Sequence, residues 1–221
     1  VRDEIGMLKS EARWLGERMM RWPTRRGVIL NIGSASGRFR TEVQPWIDRD
    51  LFGPARARGL RVVHHDLFPA PGVDIAGDLL SDECQARIRE LDVYGVVCSN
   101  VLEHVPDRDR FARIVARLVP SGGRALVTVP NAFPYHPDPI DTRYRPDVDA
   151  LAALFPELMC VEGRLLDGGR LLDLVVAQPG RVIRPRPTGP QETLPARRWR
   201  DWLPYLIRSF RSTCMEFERP A

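Results

Sequence analysis

Three groups of residues have types and spacings that could do chemistry. The first is Asn31-Ile32-Gly33-Ser34-Ala35-Ser36-Gly37, a small-residue run behind the apolar stretch Val28–Ile32. Small residues let backbone N–H groups approach a ligand, and glycine tolerates positive φ. A helix starting just beyond such a turn favours a carboxylate or phosphate at its N-terminus. A dinucleotide loop would want a third glycine where Arg38 stands, and no GK[ST] follows for a triphosphate. The second group is acidic. Asp66, closing an apolar run, is placed to accept both hydroxyls of a ribose, and Asp78 closes the next run. Each also reads as a helix cap or turn residue. The third group is Asn100, Glu103 and His104, spaced i, i+3, i+4 and so on one face of a helical turn, together with the distant His136. An imidazole with an ordinary pKa near ~6.5 suits a general base acting on a hydroxyl. His136 lies in a proline-rich, polar stretch with Tyr135, Asp138, Asp141, Tyr144 and Arg145. Those side chains could bind a polar acceptor, with Asp138 and Asp141 as catalytic carboxylates. Alternatively an Arg145–Asp141 pair locks the loop.

The elements that must position these groups follow from periodicity. Residues 3–22 carry Ile5, Leu8, Ala12, Leu15 and Met19 at helical spacing. Buried strands are expected at 28–32, 60–65, 73–76, 95–99 and 125–129. Helices are expected at 36–47, 81–91, 109–118 and 146–155. Two further strands, 159–166 and 171–177, flank Gly168-Gly169, a hairpin signal. Alternating strands and helices that end in a hairpin make an α/β fold, mostly parallel with an antiparallel edge. The site groups then fall at the C-terminal ends of strands, where this class of fold binds ligands.

In this order the motifs resemble those of class I S-adenosylmethionine (SAM) dependent methyltransferases. Gly33 and Gly37 match the first motif; Ala35 stands where its middle glycine usually is, and Asn31 where an acidic residue is commoner. Asp78-Leu79 resembles the pair that contacts adenine. Val96-Val97-Cys98-Ser99-Asn100-Val101-Leu102-Glu103-His104-Val105-Pro106 resembles the fourth strand and following LEHV segment of a large subgroup. Leu118-Val119-Pro120-Ser121-Gly122-Gly123 resembles its turn before strand five. The stretch from His136 to Arg145 is similar to a segment of bacterial methyltransferases linked to glycan and natural-product assembly. The resemblance covers about residues 27–178. It implies a Rossmann-like, mostly parallel seven-stranded sheet with helices on both faces and an antiparallel C-terminal hairpin. It implies SAM as cofactor, held by Asn31, Gly33, Ser34, Ala35, Gly37, Asp66, Leu67, Asp78, Leu79, Ser99 and Asn100. His136, Asp138 and Asp141 become the catalytic candidates; His104, Tyr135, Tyr144 and Arg145 would bind the acceptor. O-methylation of a sugar, glycan or natural-product hydroxyl is the leading expectation. Glu103, His104 and His136 also resemble the metal ligands of 2′-O- and ubiquinone-pathway O-methyltransferases. Asn100 replaces a charged ligand of that set, so no resident metal is expected. A degenerate scaffold of the same fold is the non-enzyme alternative.

The remaining signals bound the setting. With 221 residues the chain can bury a core of ordinary size, and 43% hydrophobic residues fit a globular protein. No apolar run spans a bilayer, and residues 1–26 lack an apolar leader segment, so the expected compartment is the cytoplasm. A net charge of +4 is a mild excess, with basic residues crowding 181–211; by itself it does not argue for nucleic acid, and none is expected as partner. Cys84, Cys98, Cys160 and Cys214 form no CxxC pair, which excludes a zinc ribbon or disulfide framework. The expected organisation is an N-terminal helix (1–26), the SAM-binding domain (27–178), a Pro-rich linker (179–195) and a basic aromatic segment (196–221). Within the last, Trp199, Trp202, Leu203, Leu206, Ile207 and Phe210 fall near one helical face. Residues 196–211 are therefore expected to pack on protein, form a dimer contact or lie peripherally on a membrane.

Overall fold

The computed structural model describes residues 6–23, 26–136, 140–170, 172 and 203–221. Seven strands form one sheet: β1 (Val28–Ile32), β2 (Arg61–Asp66), β3 (Ile75–Ala76), β4 (Val93–Ser99), β5 (Arg124–Ala132), β6 (Met159–Arg170) and β7 (Ser209–Glu218). Their spatial order is β3-β2-β1-β4-β5-β7-β6. The first five are parallel, while β7 lies antiparallel between β5 and β6. This is the expected Rossmann-like sheet. Its strand order reverses between β1 and β4, and that reversal opens a crevice at their C-terminal ends.

Among the described residues, the α-helices that flank the sheet are α1 (Lys9–Met20), α2 (Gly53–Ala57), α3 (Asp82–Arg89), α4 (Arg108–Leu118) and α5 (Val148–Ala153). Alternation along each strand sends neighbours to opposite faces. Leu30, Val96 and Val127 join one core with Ile88, Ile114 and Phe155. Ile29, Val97 and Leu126 join the other with Trp14, Leu15 and Phe52. Because both faces are covered, the central strands read as continuous apolar runs. Side-chain caps start three helices: Ser81, Asp107 and Asp147 accept the N–H groups of Cys84, Arg110 and Ala150.

Three expectations need correction. The helix expected over 36–47 is instead a pair of π-helical stretches, Phe39–Val43 and Ile47–Phe52, broken at Gln44. Gln44 is fully buried, and its Oε1 accepts the Met7 N–H at 3.0 Å. The break lets a side chain satisfy the segment that leads into α1, a common reason for π turns near sites.

Gly168-Gly169 does not turn a hairpin. It lies within β6, where the register against β7 shifts between Asp167 and Arg170. Gly169 has φ +82°, so the pair makes an irregularity in the strand. The strand expected at 171–177 falls on residues of which only Leu172 is described. The partner of β6 comes from much later in the chain.

Over the described residues, 203–210 do not form the helix expected there. Leu203–Leu206 is one 3₁₀ turn and Ser209 begins β7. Pro204 cannot continue an α-helix from a preceding turn. Phe210 is buried, stacked on Tyr205 at 5.1 Å and tilted against Phe133 at 5.5 Å. Trp199 and Trp202 lie outside the described residues. The boundary expected at 178 therefore does not close the domain, since 209–218 form a central strand. The N-terminal helix is equally integral. Arg18 of α1 pairs with Glu162 of β6 at 2.5 Å and with Glu216 of β7. Trp22 Nε1 and Arg124 Nη1 also donate to Glu216, at 2.9 and 2.7 Å.

Candidate functional site

The loop after β1 is held in a shape its sequence only partly favours. Gly33 has φ +70°, and a Cβ there would come within 2.2 Å of Val101 Cγ2. Ala35 has φ +53°, a left-handed conformation that costs a non-glycine residue about 1–2 kcal/mol. Hydrogen bonds hold it there. Asp66 Oδ2 accepts the Ala35 N–H at 2.7 Å. Arg40 Nη1 donates to the carbonyls of Ser34 (2.9 Å) and Ala35 (2.6 Å), and Nη2 to that of Gly72 (2.6 Å). Behind the loop, Asn31 is buried and its Nδ2 donates to His64 Nδ1 at 3.1 Å. Burial, with the nearby Arg40 charge, lowers the His64 pKa to about 4, which keeps that ring an acceptor.

The opposite wall is built by the end of β4, which α1 supports from behind. Glu11 is fully buried, and its Oε1 accepts from Ser99 Oγ (3.0 Å), Thr128 Oγ1 (2.5 Å) and Asn100 Nδ2 (2.9 Å). Burial raises its pKa against the lowering effect of these bonds. Asn100 itself sits at φ +53°, with its N–H on the Thr128 carbonyl at 2.9 Å. A helix from the N-terminus thus fixes the turn that follows β4.

Beyond that turn, Leu102–His104 form one 3₁₀ turn, and the chain from Ile140 to Arg145 crosses it as a strap. Thr142 donates its N–H (2.8 Å) and hydroxyl (2.9 Å) to the Glu103 carbonyl. The Glu103 side chain is wholly buried, and neither carboxyl oxygen has a hydrogen-bond partner. Burial pushes its pKa up to about 8. His104 Nδ1 meets the Ile140 carbonyl, and its Nε2 lies 3.6 Å from Glu103 Oε1. His136 Nδ1 meets the Pro134 carbonyl at 3.0 Å, and the two imidazoles stand edge to face at 5.2 Å. A carbonyl demands a donor, so each Nδ1 carries a proton, and a ring in its neutral form then has its lone pair on Nε2. Burial lowers the His136 pKa, which favours this neutral form.

A cavity of about 340 Å³ joins these walls, within the usual range for a small-molecule site. Of the expected cofactor residues, Asn31, Gly33, Ser34, Ala35, Ser99 and Asn100 line it. Of the expected acceptor residues, His104 and His136 line it, with Glu103 beside them. Asp66 is not part of the lining and reaches it through its bond to Ala35. Gly37 packs against the Pro71-Gly72 turn and Leu67 is exposed. Asp78 caps the Leu80 N–H at 2.9 Å, and Leu79 is buried in the core, so neither faces the cavity.

The remaining expected residues build the strap. Asp141, expected as a catalytic carboxylate, is buried and bonded to Arg145 (2.7 Å) and to the N–H groups of His136 (3.0 Å) and Arg143 (2.8 Å). Burial raises its pKa, and these bonds outweigh that, leaving it below the ordinary value. The Asp141–Arg145 pair locks the strap. Tyr144 lies under Arg108 at 4.3 Å and Tyr135 under Arg143 at 5.0 Å. Asp138 lies outside the described residues. Sequence reasoning missed Glu11, Arg40 and Phe133. Glu11 had a signal: a charge at i+3 from Leu8 and i−4 from Leu15 interrupts the apolar stripe of α1.

A methyltransferase-domain family model matches residues 8–213. No curated protein matches the chain in sequence. Among solved structures, it is similar to a Galdieria sulphuraria protein assigned as a sarcosine dimethylglycine methyltransferase, with TM-score 0.58 and 13% identity over 95% of this chain and 85% of that one. It is similar to Haemonchus contortus phosphoethanolamine N-methyltransferase 2 in complex with SAM, with TM-score 0.55 and 13% identity over 95% of this chain. The chain spans about half of that enzyme, 52%. A SAM-dependent methyltransferase from Archaeoglobus fulgidus matches with TM-score 0.53 and 12% identity over 95% of this chain and 94% of that one. At these identities the likeness is one of fold. The residues present fit SAM: Gly33 leaves the backbone at the cavity without a side chain, Asn31 and Asn100 stand at the strand ends, and the Asp66 carboxylate lies behind Ala35. Matched over residues 8–213, the chain belongs to the methyltransferase-domain family, as a SAM-dependent enzyme on a Rossmann-like sheet.

Proposed function

We propose that this enzyme methylates a hydroxyl of a small polar acceptor, such as a sugar, a glycan unit or a natural-product alcohol or phenol. One observation carries the reading. The far end of the cavity holds two imidazoles whose Nδ1–H groups are given to backbone carbonyls, leaving each Nε2 as a base. A hydroxyl must lose its proton as it takes a methyl group, whereas a neutral amine attacks with a free lone pair. A site furnished with bases therefore suits oxygen. SAM supplies the methyl group on a sulfonium centre. Asn31, Gly33, Ser34, Ala35 and Asn100 hold its amino-acid end, and Asp66 its ribose. His136 takes the acceptor proton at Nε2, and Phe133 and His104 bound the acceptor.

The test is transfer of labelled methyl from SAM to a panel of glycan, phenolic, RNA and amine acceptors. Hydroxyl acceptors should be modified, and modification of amines alone would overturn the proposal. His136→Ala should lower kcat by about 10²–10⁴ with SAM affinity nearly intact. Asp66→Ala should weaken SAM binding by more than about tenfold, the scale of one lost charge-assisted hydrogen bond.

A further inference from the structure

We infer that Glu103, His104 and His136 form a binding site for one divalent transition-metal cation, with open coordination positions toward the cavity. The inference rests on the reading above only for the use of the ion: a bound ion would occupy the His136 Nε2 lone pair and would itself acidify the acceptor hydroxyl, whose proton then passes to water rather than to His136; the binding itself stands apart.

Geometry comes first. One donor atom from each residue lies within 4.8 Å of the others. Metal–ligand bonds of about 2.0–2.2 Å put neighbouring donors roughly 3–3.5 Å apart. Glu103 Oε1 and His104 Nε2 are already at 3.6 Å, so small side-chain rotations close the set.

The second observation is Glu103 itself. It has the only buried side-chain oxygens among the described residues that lack a hydrogen-bond partner. An unpaired buried carboxyl is costly, and buried charges are paired or coordinate metals. Arg145 of the strap is bonded to Asp141 instead. No described side chain hydrogen-bonds the Glu103 carboxyl, its nearest ring nitrogen being His104 Nε2 at 3.6 Å, and Glu103 forms part of the cavity wall.

The third observation is the support behind the rings. A metal-bound histidine gives its other ring N–H to a carbonyl or carboxylate, which fixes the tautomer and orients the lone pair. His104 does so to the Ile140 carbonyl. His136 does so to the Pro134 carbonyl, with Asp141 Oδ2 at 3.3 Å from the same nitrogen. The strap locked by Asp141 and Arg145 supplies the Ile140 carbonyl and Asp141 itself. Two imidazoles and one carboxylate, with no thiolate, select Zn²⁺, Co²⁺, Mn²⁺ or Fe²⁺ over Ca²⁺. The sequence argued against an ion because Asn100 replaces an acidic residue. Asn100 is turned to Glu11, and the three-residue set is complete without it.

The experiment titrates the chelator-stripped full chain with Co²⁺, read by visible absorption and by calorimetry, without SAM or acceptor. About one equivalent should bind. Glu103→Gln, His104→Ala and His136→Ala should each weaken binding by at least about tenfold, with every variant folded by its own melting curve. Absence of both heat and absorption at millimolar Co²⁺ would overturn the site, as would unchanged binding in folded variants. SAM binding and methyl transfer by the stripped wild type are measured alongside. Lost metal binding with transfer intact removes the ion alone. Absence of transfer to any hydroxyl, with metal bound, strikes the proposed function instead.

Discussion

Glu216 and Glu103 are both buried glutamates, and their surroundings are opposite. Glu216, in the middle of β7, accepts from Arg18, Trp22 and Arg124. It ties the N-terminal helix to a strand from the far end of the chain. Glu103, at the cavity, accepts nothing through its side chain. A carboxyl buried for structure is surrounded by donors, because leaving it unpaired would cost several kcal/mol. The Glu103 oxygens are as buried as those of Glu216, but no described donor surrounds them. Glu11 lies between the two: it has a full set of donors, yet those donors shape the site wall.

Removing partners should break this comparison most at Glu216. Glu216→Ala leaves Arg18 and Arg124 facing a buried void and should lose about 3–5 kcal/mol of stability, read by urea denaturation. A loss under about 1 kcal/mol would mean that the network is surface-like in strength.

Glu11→Ala comes next, at about 1–3 kcal/mol, because it strands the donors of Leu8 and Asn100. It should also weaken SAM binding by freeing Asn100. The pH dependence sharpens the point. The folded pKa of Glu11 is raised above its ordinary 4.5, so its contribution is fullest below that value and is lost as pH rises through the raised one. Denaturation of wild type and Glu11→Gln between pH 4 and pH 8 should shift steadily in favour of the glutamine variant. A constant difference would show that folding leaves the Glu11 pKa at its ordinary value.

Ala35→Gly should stabilise the fold by up to about 1 kcal/mol by relieving the left-handed conformation, with the extra freedom of the unfolded glycine taking back part of the gain. Calorimetric melting reads it. A lower melting temperature would mean that the alanine methyl is packed. Glu103→Gln should have the smallest effect on stability. With no partner to lose, the metal-free variant should melt at or above the wild-type temperature. A fall as large as that of Glu216→Ala would make Glu103 a structural residue.

Much of the fold was legible because it is written locally. Apolar runs at 28–32 and 95–99, small residues at 33–37 and the turn after Pro120 follow from covalent geometry and side-chain period. The Rossmann-like order could be read from their alternation. The loop after β1 and the Asn100–His104 turn were legible for the same reason, as motifs each contained in one short segment.

What the sequence did not contain was partnership at a distance. The choice of 209–218 as the strand between β5 and β6 depends on which strand satisfies the open edge of β5. No local period encodes that. Its polar residues Ser212, Thr213 and Glu216 look unlike a central strand until Arg18, Trp22 and Arg124 are beside them. The positive φ of Ala35 and Asn100 is likewise imposed by Asp66 and Glu11, far away in the chain. The spacing of Glu103 and His104 is covalent, but His136 joins them only because the strap folds back over the 3₁₀ turn. Local pattern determined which residues could act; the burial of carboxyls and the crossing of the strap decided which of them meet.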